Sequence, residues 1–197
     1  MNPHIAVLIE KIQALEFELE AELAQRRAEL RVGMEKGRVF FEKEILRRHR
    51  ELRTRLWRYM LNAHPLVVLT APVIYSLIVP LVLLDLFVTI YQAICFPVYG
   101  IPKARRRDYL VFDRSHLAYL NMLEKLNCAY CSYANGLIAY VREIAGRTEQ
   151  YWCPIKHARR VIGAHPRYAL FEDYGDAEGY RKWLEQFQNA QVKDDEP

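Results

Sequence analysis

The sequence predicts an all-α protein attached to a membrane, and three features of the pattern support this fold class. Residues 66–99 form an apolar stretch that contains a single formal charge, Asp85. Segments with helical hydrophobic periodicity lie on both sides of it, and basic residues cluster at both of its ends. We expect an amphipathic or coiled-coil arm at 1–64, a membrane-inserted segment at 65–101, a helical Cys/His domain at 102–192 and a disordered tail at 193–197.

The N-terminal arm has a short heptad-like seam of apolar residues. Its members are Ile5, Leu8, Ile12, Leu15 and Leu19, after which the stripe shifts by one position. This spacing favours a coiled coil that self-associates or docks a partner helix, although packing on the chain's own C-terminal domain fits the same pattern. No proline lies between Pro3 and Pro65, so one long helix is allowed; alternatively, Gly33 and Gly37 mark a bend.

The apolar stretch is longer than the roughly 20 residues that a membrane-spanning helix needs. Pro80 removes a backbone donor near its middle and divides it into arms of about 21 and 24 Å, each too short to cross alone. A helical hairpin broken at Pro80, which enters and leaves on one face, is therefore slightly preferred to a single kinked span. A buried element of a soluble protein is the least favoured interpretation.

The charges beside the stretch support attachment from one side. We expect lipid headgroups to bind Arg53, Arg55, Arg58, Lys103, Arg105, Arg106 and Arg107. Positive flanks favour the cytoplasmic side, and a single span would place one basic cluster on the wrong side. Nucleic-acid binding is not expected because the basic residues directly flank the apolar stretch. The N-terminus lacks the pattern of a signal peptide.

Asp85 is the one acid at membrane depth. A charged residue at a helix centre costs about 2.5–3.5 kcal/mol on insertion scales, so it usually has a partner or a function. Its possible roles are a proton relay, an acceptor for a partner subunit, a cap for amides freed near Pro80, or a neutral group near the interface.

The C-terminal domain contains four candidate metal ligands, Cys128, Cys131, Cys153 and His157. Their CxxC and CPxxH spacing predicts a closed Cys3His site for structural zinc, with an iron–sulfur centre as the minor alternative. A redox-active dithiol and inert cysteines remain open, and His116 and His165 are substitute ligands.

The local pattern of this domain predicts three helices. Ser115 is the expected N-cap of a helix that ends near Asn127, and Asn135–Gly136 is the expected turn before a helix at 137–151. Pro154 is expected to begin a short third helix that ends near Ile162, with Cys153 at its N-terminus. In the tail, the aligned Tyr180, Trp183 and Phe187 predict an amphipathic helix.

The run LNCAYCSYANGLIAYVREIAGRTEQYWCPIKHA resembles a family of small uncharacterised bacterial membrane proteins. The resemblance extends from the basic cluster before Leu66 to His157, and it implies a bacterial inner membrane without implying an activity.

The function expected from these features is a membrane-anchored adaptor or assembly factor with its soluble parts on the cytoplasmic face. The alternatives are an iron–sulfur redox or metal-handling protein and an enzyme that acts on lipid-phase substrates. For an enzyme the best acid–base pair is Asp113 and His116, which is weak support.

Overall fold

The structure, a computed structural model, is mostly helical, in agreement with the predicted fold class. It describes the backbone of residues 3–29, 32–35, 38–41 and 43–194, and side chains at 7–29 and 44–186. The helices are α1 (Pro3–Glu29), α2 (Lys43–Glu51), α3 (Leu56–Leu61), α4 (Pro65–Ser76), α5 (Ile78–Val98), α6 (Met122–Trp152) and α7 (Ala177–Asp194). Short 3-10 helices lie at Arg106–Asp108, Asp113–His116 and Pro166–Leu170.

The arm contains a β-hairpin between α1 and α2. Strands β1 (Val32–Glu35) and β2 (Arg38–Phe41) pair antiparallel, with Val32 opposite Phe41. The arm is therefore not one continuous helix. The change occurs where glycine weakens helix propensity by about 1 kcal/mol per residue. Gly33 lies in β1, and Gly37 lies outside the described residues.

Helices α4 and α5 follow each other with a kink at Leu77 and no reversal of the chain. Leu77 keeps a helical backbone (φ −63°, ψ −14°), so the two helices continue in one direction. The break places Pro80 in the first turn of α5, where its missing N–H would have had no partner within the helix. The predicted hairpin at Pro80 is not present; the alternative, a single kinked helix, describes the structure.

Helix α6 lies beside α4 and α5 and runs parallel to them. The Tyr75 hydroxyl donates to Asn127 near the start of α6, and Tyr91 bonds Thr148 near its end (3.0 Å). Tyr99 stacks on Tyr151, with ring centroids 5.1 Å apart. Later residues of α4–α5 thus contact later residues of α6, so the helices run in the same direction.

Helix α6 begins at a capping box and continues through Gly136 without a turn. Asn121 and Glu124 form a capping box (3.0 and 2.8 Å), whereas Ser115 donates its hydroxyl to Phe112 in a 3-10 turn. The predicted turn at Asn135–Gly136 is wrong because Gly136 lies inside the helix. A Cβ there would lie 2.6 Å from the Tyr109 carbonyl oxygen, so glycine allows a neighbouring backbone to approach closely.

That neighbour is the return segment, residues 100–121, which runs back from the end of α5 to the start of α6. It passes Phe96, then Gln92, then Asp85, in that order. The main buried cluster forms where α5, the return segment and α6 meet. Its members are Phe96, Ile101, Ala104, Leu110, Leu137, Tyr140 and Ile144.

Residues 153–176 fold back over the last third of α6. The predicted helix from Pro154 to Ile162 is absent; instead, Ile155 forms an isolated parallel bridge with Glu172. Helix α7 includes the predicted Tyr180 and Trp183, whereas the side chain of Phe187 lies outside the described residues. Of the tail predicted to be disordered, residues 193 and 194 belong to α7, and 195–197 lie outside the described residues.

Candidate membrane interface

The longest exposed apolar surface of the described residues is one side of the α4–α5 helix. Pro65–Val98 spans 34 residues with a mean hydropathy of 2.5 in its most apolar window, none of which is buried. Leu69, Val73, Phe87, Ile94 and Val98 are each 63–76% exposed. By length and composition, this helix is able to cross a membrane.

From Ala71 onward, the opposite side of the same helix is partly covered by the rest of the chain and carries most of its polar residues. Asp85, Gln92 and Tyr99 follow one another at intervals of seven, which places them on one helix face. Tyr75 lies on the same stripe, and it bonds α6. The helix therefore has an apolar side without a protein partner among the described residues and a polar side bound to its own chain.

Asp85 is the acceptor at the centre of this covered stripe. Arg106 donates to both of its carboxylate oxygens (2.6 and 3.3 Å), and the Tyr133 hydroxyl donates to it at 3.0 Å. Thr89 adds a longer bond of 3.4 Å. The carboxylate thus connects α5, the return segment and α6. This structural ion pair within the chain was not among the roles expected for Asp85.

Gln92 is a second connection, and its amide is fully used. Its oxygen accepts from the Ala104 N–H (2.6 Å), and its nitrogen donates to the Ala104 carbonyl (3.3 Å) and to the Tyr140 hydroxyl (2.8 Å). Gln92 is 6% exposed. A buried backbone amide and carbonyl of the return segment are therefore satisfied by one side chain.

The two basic clusters lie at different positions along the axis of the α4–α5 helix. Arg53, Arg55 and Arg58 are exposed and precede α4. Their contact with lipid headgroups stays a prediction. Lys103, Arg105, Arg106 and Arg107 are also exposed, but the return segment brings them back along α5. Arg106 lies beside Asp85, about 20 Å before the end of α5 at about 1.5 Å per residue. The guanidinium of Arg106 is thus engaged within the chain.

The four candidate metal ligands are not brought together. Cys128 and Cys131 lie near the start of α6, and Cys153 caps its end, so Cys131 and Cys153 are about 33 Å apart along the helix axis. The dipole at a helix C-terminus also disfavours a thiolate, contrary to the N-terminal position expected for Cys153. His157 hydrogen-bonds Tyr168 through its backbone N–H (2.6 Å).

No group of three potential metal ligands is found among the described residues. An iron–sulfur centre would need the same cysteines to converge. Metal binding by this set stays a prediction from spacing that the continuous α6 does not favour. Of the substitute ligands, His116 is exposed, and His165 bonds Glu149 at 3.0 Å.

A charge cluster attaches the C-terminal fold-back to α6. Glu143 accepts from Arg147 (2.7 Å) and Arg167 (2.9 Å), and its side chain is 15% exposed. Burial alone would raise the pKa of Glu143, but the bonds from the two arginines outweigh it and lower that pKa. Glu143 therefore stays ionised at neutral pH and serves a structural purpose.

Gln92, Gly136 and Glu143 are the organising residues that pattern reasoning missed. The signal for Gln92 was its spacing of seven from Asp85, which indicated a covered face within the apolar stretch. Gly136 was predicted to lie in a turn because a glycine in the sequence fits either a turn or a close approach of another backbone segment. Asp113 and His116, the candidate acid–base pair, are both exposed in a 3-10 turn.

Comparison with known proteins adds no relative: no family model, no curated protein and no solved structure matches this chain.

Proposed function

We propose that this chain is a membrane-anchored adaptor that self-associates through α1. The observation that carries the anchor is the 34-residue helix Pro65–Val98, whose most apolar part contains no buried residue. An exposed apolar surface of this length costs free energy in water and is removed from water by a bilayer. The resemblance and the basic flanks suggest a bacterial inner membrane with the soluble parts in the cytoplasm.

The arm supplies the interaction surface. The seam residues Leu8, Ile12, Leu15 and Leu19 are 44–64% exposed, so the chain's own C-terminal domain does not bury them. A second copy of α1 would cover this seam in a coiled coil. We infer that the chain is not an enzyme because polar side chains of its core form hydrogen bonds and ion pairs that stabilise the fold. Asp85, Gln92 and Glu143 are examples.

Extraction of membranes from expressing cells tests the anchor. We expect the wild-type chain to stay in the membrane pellet after an alkaline carbonate wash. Leu83→Lys combined with Phe87→Lys should increase the washed-out fraction about 10-fold, because each lysine opposes burial of the apolar side. Val161→Lys with Ile162→Lys, placed on exposed apolar residues outside the helix, is the matched control. Wild-type protein recovered in the wash would contradict the anchor.

Sedimentation in detergent tests the arm. We expect Leu15→Glu to reduce the oligomer to a monomer, whereas Gln13→Lys, on the opposite side of α1, should leave it intact. A wild-type chain that stays monomeric at all concentrations would contradict self-association.

A further inference from the structure

We propose that the α4–α5 helix lies along one leaflet in the plane of the membrane instead of crossing it. Its exposed apolar side would face the acyl chains, while its covered stripe, the return segment and α6 would face headgroups and water. This inference rests on the membrane attachment proposed above and specifies its geometry.

The first reason is the position of charge beside the middle of the helix. Asp85 lies about 30 Å from the start of α4 and about 20 Å from the end of α5. At this level the return segment presents Arg106, Arg107 and Asp108, whose side chains are 48%, 80% and 58% exposed. A crossing helix that is centred on its own midpoint, about 5 Å from Asp85, would place these exposed charges inside the hydrocarbon core. An in-plane helix leaves them in water.

The second reason is that α6 accompanies the helix from Ile74 to Tyr99. Between its charged residues Lys125 and Arg142, α6 has an uncharged segment about 24 Å long. This segment is shorter than the roughly 30 Å hydrocarbon core. If α4–α5 crossed, α6 would be carried through with it, and charged residues would enter the core.

The third reason is the shape of the apolar surface. The exposed side of α4–α5 is about 50 Å long, well beyond the thickness of a hydrocarbon core. Trp57 and Leu61 in α3 are 74% and 77% exposed and continue the apolar character before α4. A long apolar strip with polar residues on the opposite side, flanked by arginines, is the pattern of a helix that lies in the interface.

The in-plane arrangement also reconciles the two basic clusters. Arg53, Arg55 and Arg58 before α4 and Arg105 and Arg107 in the return segment would all meet headgroups of one leaflet. The positive residues are then on one side without any reversal of the chain. The charge argument for a hairpin at Pro80 therefore no longer applies, and the structure contains no such hairpin.

Depth-dependent quenching tests the geometry. A fluorescent amino acid is placed singly at Val73, Leu83 or Ile94, and the full chain is reconstituted in vesicles of zwitterionic and anionic phospholipid. Nitroxides at a shallow or a deep acyl position serve as quenchers. We expect the same shallow depth at all three sites, with a shallow-to-deep quenching ratio that varies less than about twofold. Ile162, 94% exposed outside the helix, is the control site and should show no quenching.

The outcomes separate the two proposals. A profile in which Leu83 is deepest and the other two sites are shallow would overturn the in-plane geometry and leave membrane attachment intact. No quenching at any of the three sites would overturn the attachment and the geometry together. Circular dichroism and the elution volume of each variant identify misfolded samples. If a variant misfolds, the probe is moved to Leu69, Phe87 or Val98, a second set of positions on the same side of the helix.

Discussion

The two sides of the α4–α5 helix differ in their contacts with the rest of the chain. The covered side carries Tyr75, Asp85 and Gln92, and each of them has a named partner in α6 or in the return segment. The exposed side carries mainly aliphatic residues and phenylalanine, and its polar Thr70 and Ser76 donate their hydroxyls to the helix backbone. One segment thus combines an interface with its own chain and an exposed apolar surface.

Under the in-plane proposal, apolar composition does not by itself define a membrane span. The few polar residues determine which side of the helix binds protein, and under the same proposal those protein partners limit how deeply the helix enters a bilayer. The charges brought to Asp85 by the return segment are therefore as informative as the apolar residues.

The largest effect is expected where the covered side satisfies buried backbone groups. Gln92→Leu should lower the free energy of unfolding by about 3 kcal/mol, because the amide and carbonyl of Ala104 lose their partner in a buried site. Thermal unfolding in a mild detergent measures it. Thr70→Leu, the same type of change at an exposed site, should cost less than about 0.5 kcal/mol. Equal losses would remove the distinction between the two sides.

The ion pair between Asp85 and Arg106 should have an intermediate effect. Asp85→Asn should cost about 1–2 kcal/mol, since the carboxylate is largely covered whereas Arg106 is half exposed and regains water. A double-mutant cycle with Arg106→Gln measures the coupling, which we expect to be about 1 kcal/mol. Arg107→Gln is the neighbouring exposed control. A coupling near zero would show that the pair does not connect the return segment to α5.

The Glu143 cluster should make stability depend on pH. Because the folded pKa of Glu143 is lowered, its contribution is fully present above the ordinary glutamate pKa of 4.5 and is lost as pH falls toward the folded value. We expect wild type to lose about 1 kcal/mol more than Glu143→Gln on acidification from pH 6 to pH 3. Parallel denaturant titrations measure the difference. Identical pH profiles would contradict the assignment.

The smallest effects are expected at the cysteines. Cys131→Ser and Cys153→Ser should each change the free energy of unfolding by less than about 0.5 kcal/mol, because both side chains are exposed at opposite ends of α6. Metal analysis of protein purified without oxygen provides the sharper check. One equivalent of zinc that is lost in each of these two variants would support the Cys3His prediction and contradict the continuous α6.

Much of the secondary structure was predictable, whereas the tertiary arrangement was not. Periodicity and the length of residues 66–99 predicted helices correctly. The break predicted at Pro80 is instead a kink at Leu77, three residues earlier, and it does not form a hairpin. Local signals failed where a distant segment determined the outcome. Gly136 serves the approach of Tyr109 instead of a turn, and residues after Pro154 pair with Glu172 instead of forming a helix.

The candidate site shows the same limit. Asp85 was identified because a charge is conspicuous in an apolar stretch, but its partner Arg106 was assigned to headgroups because the return segment cannot be inferred from spacing. The Cys and His residues have a spacing that suits a metal, yet one continuous helix separates them. A ligand set is defined by distance, and sequence spacing gives that distance only when the intervening structure is known.

Sidedness of the two ends of the helix tests the one-leaflet arrangement most directly. Cysteines are introduced singly at Asn62, before α4, and at Arg159, beyond the end of α6, in a chain whose native cysteines are replaced by serine. A membrane-impermeant maleimide is then applied to sealed inside-out vesicles and to intact cells. We predict that both sites react in the vesicles and that neither reacts in intact cells. Reaction of one site from each side would show that the helix crosses and would contradict attachment to a single leaflet.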